Sequence, residues 1–258
     1  MIKKGMVTKA WNCIYPLGVY YVSVVTAMFV ARMVFGADNE HYMLCQIIAT
    51  LFTLPVIYPI YRQDCQLQGR KTGKECFQKE SVFGVLWAII TAAFVGVGLN
   101  NIIGMSPLMN SIGYKDASEA FYGGNFWLQI LGSALLTPLL EEVLYRGIIF
   151  QRIRWFFGKV PGLLCGSLIF ALMHFNIVQF IYAFLLGLIF CIFVEKEDSV
   201  YPAILAHISA NLIAVIRTET GFLDFLIDGS LVAWVGSCLC LLLGIVSLVL
   251  YLKMKEKK

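Results

Sequence analysis

Long apolar stretches, each able to cross a lipid bilayer, constrain this chain more than any other feature. A hydrocarbon core of ~30 Å is spanned by a helix of ~20 mostly apolar residues. Such stretches lie at roughly 13–35, 43–61, 82–103, 127–150, 200–217 and 230–252. Residues 160–194 form one further apolar run. It is too long for a single helix and divides near His174–Gln179. The expectation is an all-α, polytopic transmembrane bundle of about eight helices. Composition agrees: 59% of the 258 residues are apolar and 14% are charged, against about 25% charged in an ordinary soluble domain. Mean hydropathy is +0.78. These values exclude a disordered chain, a coiled coil and most soluble enzymes. They disfavour an outer-membrane barrel, whose strands alternate polar and apolar residues. No repeat, linker or low-complexity tract marks a second domain, so 1–258 reads as a single membrane domain. The first stretch has too long a core for a cleavable signal peptide and reads as a retained helix.

Basic residues predict the orientation. With a cytoplasmic N-terminus, the inner segments hold Lys3, Lys4, Lys9, Arg62, Arg70, Lys71, Lys74 and Lys79. They also hold Arg152, Arg154, Lys159, Lys196, Lys253, Lys255, Lys257 and Lys258. The outer segments hold Lys115 and Arg217. That asymmetry needs an even number of helices and puts both termini in the cytoplasm. The net charge of +4 therefore concerns topology and lipid headgroups. Nothing in its placement points to nucleic acid. None of the eight cysteines falls in an outer segment, which argues against a disulfide framework. The polar stretch 104–126 reads as an ordinary connecting loop on the outer side, with a lid or a surface helix there as the alternatives.

Three polar clusters stand where leucine would be less costly. A charge at mid-bilayer costs ~2.5–3.5 kcal/mol on insertion scales. Glu142 and Arg146 are i,i+4 neighbours in the favourable order, acid first, and can neutralise each other. Glu141 is rotated ~100° from Glu142, which leaves it without a local partner and a candidate general acid or base. Phe170 and His174 share a second helix face, where the ring can wall off the imidazole. His207 and Asn211 share a third, where the amide can donate to a developing oxyanion. Counted from the basic helix ends, Glu141, His174 and His207 lie ~15, ~20 and ~10 Å deep. The expectation is one cavity opening to the cytoplasm.

Glu141-Glu142-x-x-x-Arg146, Phe170-x-x-x-His174 and His207-x-x-x-Asn211, in that order, resemble the motifs of the CPBP family of intramembrane proteases. That family includes the type II CAAX prenyl proteases and the bacterial Abi or bacteriocin-processing proteins. The resemblance covers about 127–217. It implies an endopeptidase in a bacterial plasma membrane, cleaving a membrane-associated or lipidated peptide or protein from the cytoplasmic side. By that resemblance, Glu141 with His174 activates water, and His207 with Asn211 stabilises the oxyanion. Glu142 and Arg146 hold these groups in place. Glu141, His174 and His207 are also a chemically plausible zinc set, and the same residues can do metal-free acid–base work. Both accounts stay open at this level. H-E-x-x-H and G-x-S-x-G signatures are absent.

Two other classes share these residues. An ion-coupled transporter also uses buried Glu, His and Arg, but the polar residues here show no repeated halves. A non-catalytic bacteriocin-immunity or scaffold protein would keep the motifs for structure alone.

Overall fold

A computed structural model describes residues 5–70 and 79–254. Lys3, Lys4, Lys71, Lys74, Cys76, Lys255, Lys257 and Lys258 lie outside the described residues. The helices are α1 (Met6–Phe35), α2 (Asn39–Gln68), α3 (Lys79–Gly104) and α4 (Ile112–Tyr122). They continue with α5 (Phe126–Phe157), α6 (Lys159–Leu172), α7 (Ile177–Glu197), α8 (Tyr201–Thr220) and α9 (Leu231–Lys253). No strand occurs among the described residues. The eight apolar stretches correspond to α1–α3 and α5–α9. Six helices (α1, α2, α3, α5, α7 and α9) are long and apolar enough to cross a bilayer. The chain is an integral membrane protein. α6 has 14 residues, or ~21 Å, which is short of a full span. α8 is less apolar because it carries His207, Ser209, Asn211 and Arg217.

Most helices outrun their apolar stretches because polar caps fix their ends. The Asp38 carboxylate accepts the His41 amide at the start of α2. Asn125 accepts from Trp127 and Leu128 at the start of α5. Asn176 and Ser230 do the same for α7 and α9. Each takes up donors that the first helical turn leaves unpaired. Between α5 and α6 the chain reverses at Gly158 alone, whose φ of +99° disfavours any side chain.

α5 is the central helix. It packs against α1, α2, α6, α7 and α8. α1 pairs with α2, while α3 pairs with α9 and lies along α8. Fully buried Leu144, Ile148, Ile149, Phe150, Phe190 and Phe193 fill the bundle at its basic end. Outward faces such as Val22, Leu51, Leu239 and Leu242 remain apolar and exposed, as lipid contact requires.

Two sequence expectations change here. Residues 112–122 are a helix and not a plain loop. Tyr114, Ala117, Ser118, Phe121 and Tyr122 recur with helical spacing and line a cavity, while Lys115, Asp116 and Glu119 are exposed. Arg152, counted as a loop charge, is buried. Its guanidinium grips Asp64 through Nε to Oδ2 at 2.6 Å and Nη2 to Oδ1 at 3.0 Å. It also donates to the Tyr15 hydroxyl and the Asn12 carbonyl. One side chain thus ties α5 to α2 and α1. Removing one partner of a buried pair leaves the other charge uncompensated, at about 3–5 kcal/mol. Asp64→Ala is therefore expected to lower the unfolding midpoint in detergent strongly, and Asp64→Ala with Arg152→Met to recover most of the loss. Equal loss in the single and double variants would contradict this account.

Candidate active site

Arg146 and Glu142 lie one turn apart on α5, both fully buried, with Nη1 donating to Oε1 at 2.7 Å. The guanidinium lies 4.0 Å from the Phe170 ring centre and 5.3 Å from that of Phe190. Gly187 on α7 makes the room: a Cβ there would sit 3.2 Å from Arg146 Nη2. Glu142 has a second partner. His207 Nδ1 on α8 lies 2.8 Å from the same Oε1. A carboxylate only accepts, so Nδ1 carries a proton. That leaves Nε2 on the side of Glu141, whose Oε2 lies 3.9 Å away. Glu141 is the less enclosed of the two carboxylates and lines a cavity.

His174 sits in the turn that ends α6. Its Nδ1 lies 3.0 Å from the Phe170 carbonyl. Carbonyl oxygen also only accepts, so Nε2 keeps its lone pair. The Phe170 ring stands edge-on to His174 at 4.9 Å and to His207 at 5.9 Å. One aromatic ring therefore contacts both imidazoles and the buried guanidinium.

Asn211 Nδ2 donates to the Ser133 carbonyl at 2.9 Å. The backbone explains why that carbonyl is free. α5 is widened to π-helical turns over Ile130–Leu136, where the Thr137 amide bonds five residues back to Gly132. In that register Ser133 would take the amide of residue 138, which is Pro138 and has no N–H. Asn211 fills the vacancy and keeps its second amide hydrogen. A second widened segment, Tyr145–Phe150, follows the paired carboxylates. There the Gly147 carbonyl accepts from Arg70 at 3.0 Å. Widened turns recur at functional sites because they re-aim side chains.

Glu141, His174, His207 and Asn211 all line one cavity of about 360 Å³. Glu142 and Arg146 stand behind it, outside its wall. The three motifs are thus brought together. The sequence reading missed a stripe on α5: Ser133, Thr137, Glu141 and Tyr145 recur every four residues, and all face this cavity. That spacing was legible as a polar face. Tyr20 and Tyr21 of α1, also in the wall, carried no such signal.

Ala117, Ala120 and Phe121 of α4 line the cavity, while Ile148, Ile149, Phe150 and Phe193 are buried. α5 also continues to Phe157, which puts Glu141 roughly 24 Å from its basic end. Glu141 Oε2 and His207 Nε2 lie 3.9 Å apart, against about 3.4 Å between two ligand atoms on a tetrahedral zinc at ~2.0–2.1 Å. Among the described residues no trio of His, Cys, Asp or Glu is arranged to hold a metal ion.

Residues 123–213 match the family described as Type II CAAX prenyl endopeptidase Rce1-like. Over 93 residues the chain is 29% identical to "Putative membrane peptidase YdiL" of Bacillus subtilis (strain 168). The aligned stretch is 34% of this chain and 36% of that protein. The chain thus matches little more than a third of that relative's length. No solved structure matches the chain significantly. All three motifs lie inside residues 123–213, so over that stretch this polytopic helical chain is similar to the Rce1-like endopeptidases.

Proposed function

We propose that the chain is an intramembrane endopeptidase that hydrolyses a peptide bond of a membrane-associated or lipidated peptide or protein. The observation that carries this reading is the relay Arg146–Glu142–His207. It ends 3.9 Å from Glu141, at a cavity wall shared with His174 and Asn211. Glu141 takes a proton from water while the lone pair on His174 Nε2 holds the other hydrogen. The water oxygen attacks the scissile carbonyl carbon. Asn211, through its uncommitted amide hydrogen, and His207, through Nε2, meet the oxyanion. For Nε2 to donate, the ring carries both protons, and Glu142 together with the oxyanion itself balances that charge once Glu141 holds the proton from water. As the tetrahedral intermediate collapses, the C–N bond breaks and Glu141 returns the proton to the leaving amine. Every step uses this chain's own side chains, and none runs through a metal. The basic residues support cytoplasmic termini, which puts α4 and its end of the cavity on the outer face of a plasma membrane of the bacterial type that the resemblance implies.

Positioned acid–base groups contribute ~10²–10⁴-fold. Glu141→Gln, purified in detergent and incubated with membrane-protein extract, is expected to lose cleavage by at least ~10²-fold at an unchanged unfolding midpoint. New peptide termini, read by mass spectrometry, measure this. Cleavage at the normal rate by this variant would overturn the reading and favour a scaffold role. Asn211→Ala is expected to lower kcat by ~10²–10³-fold, with KM little changed. A zinc chelator is expected to leave the rate unaltered. Inhibition that added zinc reverses would refute the metal-free assignment.

A further inference from the structure

Tyr20, on α1, lines the same cavity as Glu141, His174, His207 and Asn211. It is only 9% exposed. Two rings hold it in place: Tyr21 stands edge-on with ring centres 5.1 Å apart, and Tyr145 with ring centres 6.5 Å apart. Tyr145 follows Glu141 by one turn of α5, and Glu141 is the charged side chain that acts on Tyr20 most strongly. The Tyr20 hydroxyl has no hydrogen-bond partner among the described residues. The next residue differs, since the Tyr21 hydroxyl is hydrogen-bonded to that of Tyr145. Phenylalanine at position 20 would fill the same space without an unpaired buried hydroxyl. A tyrosine in the wall of the reacting cavity therefore points to a partner that arrives with the substrate.

We propose that the Tyr20 hydroxyl donates a hydrogen bond to a backbone carbonyl of the peptide substrate, next to the scissile bond. This rests on the endopeptidase reading above. A peptide drawn into a cavity among apolar helices leaves water behind, and each buried carbonyl then needs a donor. Glu141, His174, His207 and Asn211 are taken up by the attacking water and the scissile amide. In an extended chain the neighbouring carbonyl lies ~3.3 Å further on and is turned to the opposite side. A donor on a different helix has to meet it. His207 and Asn211 reach the cavity from α8, whereas Tyr20 reaches it from α1. Tyr20 also lies outside residues 123–213, so this contact belongs to the part of the chain that the family match does not cover. Its task is to hold the peptide, and the proton chemistry stays with Glu141.

The test uses the full chain in detergent. Tyr20→Phe removes the hydroxyl and nothing else. Its unfolding midpoint is expected to equal or exceed that of the wild type, because no bond within the protein is lost. A lower midpoint would reveal a partner inside the protein and overturn the proposal. Cleavage is read by mass spectrometry at every new terminus in membrane-protein extract, dilute enough for rates to report kcat/KM. Tyr20→Phe is expected to lower these rates about tenfold, by a similar factor at all sites, because a backbone contact is blind to side chains. A synthetic peptide spanning one of these sites should show the loss in KM, with kcat little changed. A loss confined to sites of one sequence would make the contact one with a side chain and overturn the proposal. A loss in kcat alone would place Tyr20 in the proton chemistry and overturn it too. If the wild type cleaves and Tyr20→Phe cleaves equally well, the role of Tyr20 falls alone. If the wild type cleaves nothing, the endopeptidase reading falls and takes this role with it.

Discussion

One buried ion pair sets the geometry on which the rest of the site depends. Arg146 is enclosed in the bundle because Glu142 neutralises it and two aromatic rings face it. A buried pair of this kind often adds little net stability over apolar residues of similar size. Its consequence lies elsewhere. The oxygen of Glu142 that accepts from Arg146 also accepts from His207, so the interaction that makes the charge tolerable also fixes the tautomer and aim of the imidazole. Phe170 extends the arrangement to His174. The neighbouring Glu141, one residue away but on another face, is left to the cavity.

The backbone of α5 serves the same end. Widened turns on both sides of Thr137–Leu144 shift the phase of the helix before and after the carboxylates. In each a carbonyl accepts from a side chain outside the helix, Asn211 in one case and Arg70 in the other. Pro138 leaves the first of these carbonyls without a helical donor. Asn211 is therefore held by the helix that carries the acid groups, and any polar chemistry it performs uses a side chain already fixed in place.

Much of this was legible in the sequence, for physical reasons. Lipid allows no interruption of a spanning helix, so α1–α3, α5, α7 and α9 announce themselves as apolar runs. The i,i+4 pairs Glu142–Arg146, Phe170–His174 and His207–Asn211 are set by helix geometry alone. What a helix presents to another helix is not written locally. The bonds from His207 to Glu142 and from Asn211 to Ser133 needed the assembled bundle. α4 was hidden because Lys115, Asp116 and Glu119 suggested a loop, although its aromatic and small residues keep a helical period. Arg152 and Arg217 were misread for a related reason: counting charges near the ends of apolar runs assumes they face water, and both are buried.

The central claim is that this cavity uses water, activated at Glu141, to cut a peptide bond. Cleavage of membrane-protein extract in water enriched in oxygen-18 tests it most directly. The account predicts that new C-terminal carboxylates carry solvent oxygen with the wild type and do not form with Glu141→Gln. Labelled termini appearing equally with both proteins would contradict it.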